Sequence, residues 1–342
     1  MKPLIIHAFL LLSPLLSSAQ AHDTARVLYQ QAMADKESRK YKPAFDKLQH
    51  AVSLDSSYTI AIRELGLAAV EIRRYDVAIS SFQTAIRQQT DDTISLRLLA
   101  QLHFQMRKWD DAIRECHQML SFQMSGKVNY MLGKSYWQKE DYGNAFRYLD
   151  AAFKEEPGNV EIPVLFARGL VDMSNFKQAV KYYQIAIAMD SSRSDLMYET
   201  ALAYSSMPDD RSAVMFYELA MKKGYTVDDD FIENIANSYM SAGMPDRSIE
   251  LQMELLKKRP GDLSLLYNIA QTYYETKRYD QAIDTWQQLL TFDKENARAV
   301  YMIGLSYQHK GDKSKGKGIC NKAIEMDPKL KDYRHVKQWL RL

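Results

Sequence analysis

Residues 311–318, Gly311-Asp312-Lys313-Ser314-Lys315-Gly316-Lys317-Gly318, come within one residue of the phosphate-binding pattern GxxxxGK[ST]. In that pattern a glycine-rich turn wraps backbone N–H groups around phosphates and the last hydroxyl holds a magnesium ion. Here Gly318 stands where the hydroxyl belongs, and the segment joins two helical patterns, whereas a phosphate loop follows a strand. Its glycines therefore read as a turn and a close helix crossing. His103, Cys116 and His117 offer soft-metal ligand types, but no Cys-x-x-Cys or His-x-x-x-His spacing accompanies them. A buried cysteine acts more often as a small apolar residue. No HExxH, GxSxG or paired-carboxylate motif occurs. No catalytic residue, cofactor or metal is expected, and the functional groups must be sought on a binding surface.

The elements that position such a surface are foreshadowed by composition. The chain has 342 residues, 46% hydrophobic and 26% charged, with only 13 Gly and 9 Pro. A chain so poor in turn residues and rich in helix formers is expected to be all-α. With 45 basic and 43 acidic residues the formal charge is +2, which supplies no general attraction to nucleic acid. The N-terminus stands apart: Lys2 precedes an apolar stretch over residues 4–16 that closes on Ala19-Gln20-Ala21. This is the form of a cleaved export signal covering residues 1–21, too short for a comfortable membrane span. The mature chain is then expected to begin at His22 and to carry no integral membrane segment. Without a cysteine at the cleavage point and without any Asn-x-Ser/Thr sequon, a bacterial periplasm is the favoured destination, with secretion the alternative.

Self-similarity organises the remainder. With starts at 25, 59, 93, 126, 160, 194, 229, 263 and 297, nine units align at a period close to 34. Position 8 is always Ala or Gly, from Ala32 and Gly66 to Ala270 and Gly304. Position 20 is Ala in seven units, Ser248 in the seventh and Gly316 in the ninth. Small residues at two fixed positions are what two closely crossing helices require. Large residues recur at position 11 (Tyr136, Tyr204, Tyr239, Tyr273, Tyr307) and position 24 (Phe82, Tyr183, Tyr217, Trp286), as a packing stripe would. His103 and Cys116 fall at these same two positions. Turn signals such as Lys310-Gly311-Asp312 and Gly243-Met244-Pro245 separate the halves, and Glu156-Pro157-Gly158 and Arg259-Pro260-Gly261 separate the units.

This pattern resembles the tetratricopeptide repeat, most clearly over 126–159 (Leu132, Gly133, Tyr136, Ala145, Leu149, Ala152, Pro157) and 297–329 (Gly304, Tyr307, Gly316, Ala323, Pro328). The resemblance implies a right-handed α-solenoid of stacked helix-turn-helix units over residues 22–329. Departures are Asp35 at position 11 of the first unit, and His103 with Met119 in the third. Residues 330–342, with Tyr333, Val336, Trp339 and Leu340 at helical spacing, read as a C-terminal capping helix. Cys116 and Cys320 lie six repeats apart, and because a repeat touches only its neighbours, both thiols are expected free and buried.

If positions 4, 7, 8 and 11 face the partner helix, positions 2, 5, 9 and 12 share the opposite side. The resemblance implies that this stripe lines a concave face that grips a peptide or partner domain. It holds Arg63, Arg97, Lys134 and Arg168, then Asn237 and Gln271, with Tyr130, Trp137, Tyr198, Tyr267, Tyr274 and Tyr301 between them. A cationic row with exposed rings and amides suits a protein or peptide partner bearing an acidic or carboxylate-rich segment. The expected function is an exported scaffold or adaptor. Alternatives are recognition of an anionic envelope glycan, which rings and arginines would also serve, or an enzyme whose groups converge from distant repeats. The carboxylate clamp of chaperone-binding relatives is not reproduced, since Arg97 is followed four residues on by Gln101.

Overall fold

The structure, a computed structural model, describes residues 9–124 and 127–331, with side chains from residue 20 onward. Among the described residues no strand occurs, and eighteen helices follow one another. They pair as α1 (Phe9–Glu37) with α2 (Tyr41–Leu54), α3 (Thr59–Glu71) with α4 (Tyr75–Gln88), and α5 (Thr93–Gln105) with α6 (Trp109–Ser121). Next come α7 (Val128–Gln138) with α8 (Tyr142–Glu155), α9 (Glu161–Asp172) with α10 (Phe176–Met189), and α11 (Ser194–Ser205) with α12 (Asp210–Lys222). The last are α13 (Asp229–Ser241) with α14 (Pro245–Lys258), α15 (Leu263–Glu275) with α16 (Tyr279–Phe292), and α17 (Ala297–Lys310) with α18 (Lys313–Met326). The chain forms two compact units, Met1–Gly169 and Leu170–Leu342. Inside each, helices pack chiefly on those before and after them in sequence, as in an α-solenoid.

The small residues sit where the helices cross. Every alanine at positions 8 and 20 is fully buried, as is Ser248. A Cβ added at Gly66 would lie 2.6 Å from the Phe82 ring, and one at Gly133 would lie 2.8 Å from Leu149. Around these crossings, Phe45, Leu48, Phe82 and Leu99 form one core of the first unit. In the second unit Tyr217 and Phe231 centre one core, and Leu266, Ile269, Trp286 and Leu289 another. Each core spans adjacent repeats, so a repeat is completed by its neighbour.

The turn inside each repeat shows a regularity that the glycine pattern understates. Position 15 is left-handed at Gly243 (φ +79°) and Gly311 (φ +114°), but also at Arg39, Arg73, Arg107, Glu140, Ser174 and Lys277 (φ +57° to +62°). There the chain closes with paired backbone bonds: in the third repeat the Arg107 N–H donates to the Phe104 carbonyl and the Lys108 N–H donates to the His103 carbonyl. A side chain in the left-handed region is crowded by its own Cβ, and glycine is not. Arg107→Gly should therefore raise stability by about 0.5–1 kcal/mol, read as a higher urea midpoint.

At the N-terminus, α1 runs unbroken from Phe9 to Glu37, so the first repeat's leading helix, expected from residue 25, is the second part of a longer one. From Ser17 to Glu37 neither glycine nor proline interrupts the chain, and its Ala and Gln residues favour continuation through residue 25. No helix of the described residues is long and apolar enough to cross a membrane. At the other end a short turn over 328–331 follows α18, and Leu330 packs with Tyr301, Cys320 and Ala323. The expected capping helix, with Tyr333, Val336, Trp339 and Leu340, lies outside the described residues.

Candidate functional site

In the first unit the stripe divides between structural and available groups. Arg63 donates to Asp92 at 3.0 Å, and Asp92 is itself the N-cap of α5, accepting from the Ser95 backbone N–H at 3.0 Å and the Ser95 hydroxyl at 2.6 Å. The expected binding cation is thus engaged in joining the second repeat to the third. Asp92→Ala should lose both cap and ion pair, at about 2 kcal/mol, while Asp92→Asn keeps a cap oxygen and should cost about 1 kcal/mol, both measurable by chemical denaturation.

Arg97 is exposed and makes no ion pair among the described residues. Lys134 lies over two rings, 5.8 Å from the centre of Tyr130 and 6.0 Å from that of Phe104. Burial raises the Tyr130 hydroxyl above its usual range, so it remains a neutral donor. Trp137 is half-buried, edge-on to Tyr142 at 6.5 Å, and its buried Nε1 has no hydrogen-bond partner among the described residues. Gly169 makes room for it: a Cβ there would lie 3.0 Å from Trp137 Nε1. Arg168 is half-buried beside this glycine in sequence.

In the second unit several rings expected to be exposed instead pack against neighbouring helices. Tyr198 stacks on Tyr225 at 4.6 Å and on Phe231 at 5.4 Å, and its hydroxyl accepts from Asn234 at 3.1 Å. Tyr301 is only 5% exposed. Tyr274 meets Tyr279 and His309 edge-on, and burial pushes its hydroxyl up to about 12. The physical reason is that positions 5 and 12 of a leading helix also face the chain stacked after it, where a large ring gains more by burial than by projecting into water.

Asn237, Tyr267 and Gln271 are brought together around one cavity of about 490 Å³. Tyr267 is held edge-on against Trp286 at 4.9 Å, while the Arg298 guanidinium covers its ring at 4.7 Å. Gln271 donates to Glu275 at 2.9 Å. Gln252 and Asn268 also line this cavity and, with Asn237, a neighbouring one of about 250 Å³. There Arg259 meets Glu233 at 2.7 Å and Asp262 at 3.4 Å. Charges of both signs surround these cavities, unlike the cationic row of the first unit. Tyr274 and Tyr301 line a separate cavity of about 600 Å³.

The family profile described as TPR repeat matches residues 255–311, and two described as Tetratricopeptide repeat match 63–119 with 164–206, and 126–159 with 297–330. The chain belongs to the tetratricopeptide repeat family. It is similar to the TPR repeat-containing protein YpiA of Bacillus subtilis (strain 168), 22% identical over 214 residues, covering 53% of this chain and 51% of YpiA. The chain therefore spans about half the length of this relative. Among solved structures, YrrB, described as a TPR protein with an unusual peptide-binding site, is 19% identical, with 56% of this chain and 97% of that one covered at a TM-score of 0.44. A tetratricopeptide repeat protein from Parabacteroides merdae is 15% identical, with 80% and 94% covered at a TM-score of 0.36.

Sequence reasoning about these tetratricopeptide repeats passed over Gln252, Asn268 and Arg298. The signal for Gln252 was present, because the seventh repeat breaks the packing pattern at positions 20 and 24 together, as Ser248 and Gln252. The two histidines of metal-ligand type turn to separate partners: His103 to Glu115 at 2.9 Å and His117 to the Tyr136 hydroxyl at 3.0 Å. Cys116 and Cys320 are free and buried, and burial pushes the Cys116 thiol up to about 12. Since the thiolate is the reactive form, Ellman's reagent should titrate neither thiol rapidly in the folded protein and both after unfolding.

Proposed function

We propose that this chain is an exported, non-enzymatic scaffold that holds a partner protein or peptide on the position 5, 9 and 12 stripe of its leading helices. Tetratricopeptide repeat proteins are in general protein–protein interaction scaffolds. The observation that carries the reading is the cavity shared by Asn237, Tyr267 and Gln271, whose walls offer hydrogen-bonding side chains suited to an extended chain. In the first unit, Arg97 and Lys134 favour an acidic or carboxylate-bearing segment of the partner. Tyr198, stacked on Tyr225 and Phe231, and the buried Tyr301 weigh against a glycan, which needs open ring faces for stacking. Export to a periplasm is supported by Lys2, the apolar residues 4–16 and Ala19-Gln20-Ala21.

The test is affinity capture from native envelope extract with the purified chain, beside an Arg97→Glu/Lys134→Glu variant whose helicity is unchanged by circular dichroism. A defined protein held by the wild type and lost by the variant is the expected result. Equal capture by both would remove the cationic row from the site, and capture of no protein would overturn the scaffold reading. N-terminal sequencing after expression in a bacterium should find His22 first; retention of Met1 would overturn the export assignment.

A further inference from the structure

The turns inside the first three repeats carry charge that their own structure does not require. At positions 15 and 16 they read Arg39-Lys40, Arg73-Arg74 and Arg107-Lys108, and all six side chains are exposed. Position 15 is left-handed in each (φ +57° to +60°), and is left-handed again at Gly243 and Gly311, where glycine adopts it without crowding. Position 16 is the N-cap of the trailing helix. In the fourth, fifth, sixth and ninth repeats the side chains of Asp141, Asn175, Asp209 and Asp312 accept a backbone N–H there. Lys40, Arg74 and Lys108 make no cap bond and set a cation against the positive end of the helix dipole. Three successive turns thus forgo both the glycine and the cap that other turns of this chain use, and local rules broken together in one place mark a functional surface.

These cations also lack the partners that turn cations have in later repeats. There a cation of the turn pairs with the acid at position 18 of the preceding repeat: Lys139 with Asp110, Arg278 with Asp246 at 2.6 Å, and Lys310 with Asp280. In the first three turns Arg74 meets only Asp76 of its own repeat, at 3.4 Å, and the other five form no ion pair among the described residues. Glu37 and Glu71, the exposed acids that end α1 and α3, offset two of the six charges. The turns lie side by side, since the Arg74 guanidinium reaches within 5.9 Å of the Phe45 ring centre in the first repeat, and Ile72, Tyr75 and Met106 join one core. Directly after each basic pair comes a half-buried ring: Tyr41, Tyr75 and Trp109. A row of turns is a rim without walls, which suits a surface better than a chain held in a groove. Guanidinium groups match phosphate oxygens, each Lys or Arg adds attraction to an anionic bilayer, and Tyr and Trp favour its interface. We propose that the edge formed by these three turns binds the phosphate headgroups of an anionic phospholipid surface. The inference stands apart from the scaffold reading, which places its partner on the leading-helix stripe.

Co-sedimentation of the full chain with phosphatidylcholine vesicles, with and without added phosphatidylglycerol, tests it. Binding is expected to rise about tenfold or more with the anionic lipid and to fall again as salt is added. The comparison variant rewrites each pair as Gly-Asp, the pair that the ninth repeat carries at Gly311-Asp312: Arg39→Gly, Lys40→Asp, Arg73→Gly, Arg74→Asp, Arg107→Gly and Lys108→Asp together. It should lose the gain from phosphatidylglycerol yet melt no lower than the wild type, because it restores the glycine and the cap. Cations kept for stability would give the reverse, a lower melt with binding unchanged, and would overturn the proposal. Should the combined variant fail to fold, Arg39→Gln/Arg73→Gln/Arg107→Gln leaves the N-caps as they are and should still lose part of the gain. Equal binding to both vesicle types, as insertion of the apolar residues 4–16 would produce, overturns the proposal, and so does undiminished binding of the variants. Preference for a short DNA duplex over the anionic vesicles would overturn the lipid assignment.

Discussion

Replacing Trp286 with alanine should lower stability by about 3–5 kcal/mol, the largest effect expected of a single substitution in the second unit. The side chain is fully buried among Leu266, Ile269 and Leu289, between the eighth repeat and its neighbours, so truncation leaves a cavity that rigid helix crossings cannot close. Its indole Nε1 lacks a hydrogen-bond partner among the described residues. Trp286→Phe consequently removes an unsatisfied donor along with some volume, and should cost less than about 2 kcal/mol. Urea denaturation followed by circular dichroism measures both, and hydrogen exchange should show the alanine loss concentrated in α15 to α17. Equal effects of the two substitutions would show that ring volume is not what the site requires. Because Trp286 backs Tyr267, the alanine variant should also weaken any ligand bound at the Asn237 and Gln271 cavity.

Gly304→Ala and Gly318→Ala should act with opposite signs although both lie in the ninth repeat's helices. An alanine in an open helix position is more stable than glycine by about 0.5–1 kcal/mol, and a Cβ at Gly318 meets nothing within 4 Å. At Gly304 the same atom would lie 2.5 Å from Cys320 Sγ and 2.9 Å from both the Cys320 nitrogen and the Gly316 oxygen. Backbone cannot move aside without parting α17 from α18, so a net loss of about 2–3 kcal/mol is expected despite the better helix former. Thermal melts of the two variants beside the wild type decide it. A stabilised Gly304→Ala would mean that the crossing is looser than its glycines indicate.

These pairs show why so much of the fold was legible. A repeat meets the same neighbour again and again, so its packing needs recur at fixed positions, and Ala32 through Gly304 and Ala44 through Gly316 mark the crossings in the sequence itself. The Gly311–Gly318 segment was readable as a turn and crossing on the same ground: Gly311 has φ +114° and Gly316 meets Gly304. The left-handed turn at Arg39, Arg73 and Arg107 was not legible, because backbone hydrogen bonding closes the turn whatever side chain it carries.

The candidate site was legible only as a helix face. Sequence alone determined the helical class, the repeat register and the set of residues that a wheel places opposite the packing stripe, since these follow from local periodicity. Only the tertiary structure decided which of them are available: Arg63 is drawn to Asp92 in the next repeat, Tyr198 sinks into a seam, Tyr301 is buried against its own trailing helix, and Asn237, Tyr267 and Gln271 gather around a cavity with Gln252 from another trailing helix. Those outcomes depend on contacts between residues on different helices, half a repeat to one repeat apart, and a helical wheel contains no term for the neighbouring helix.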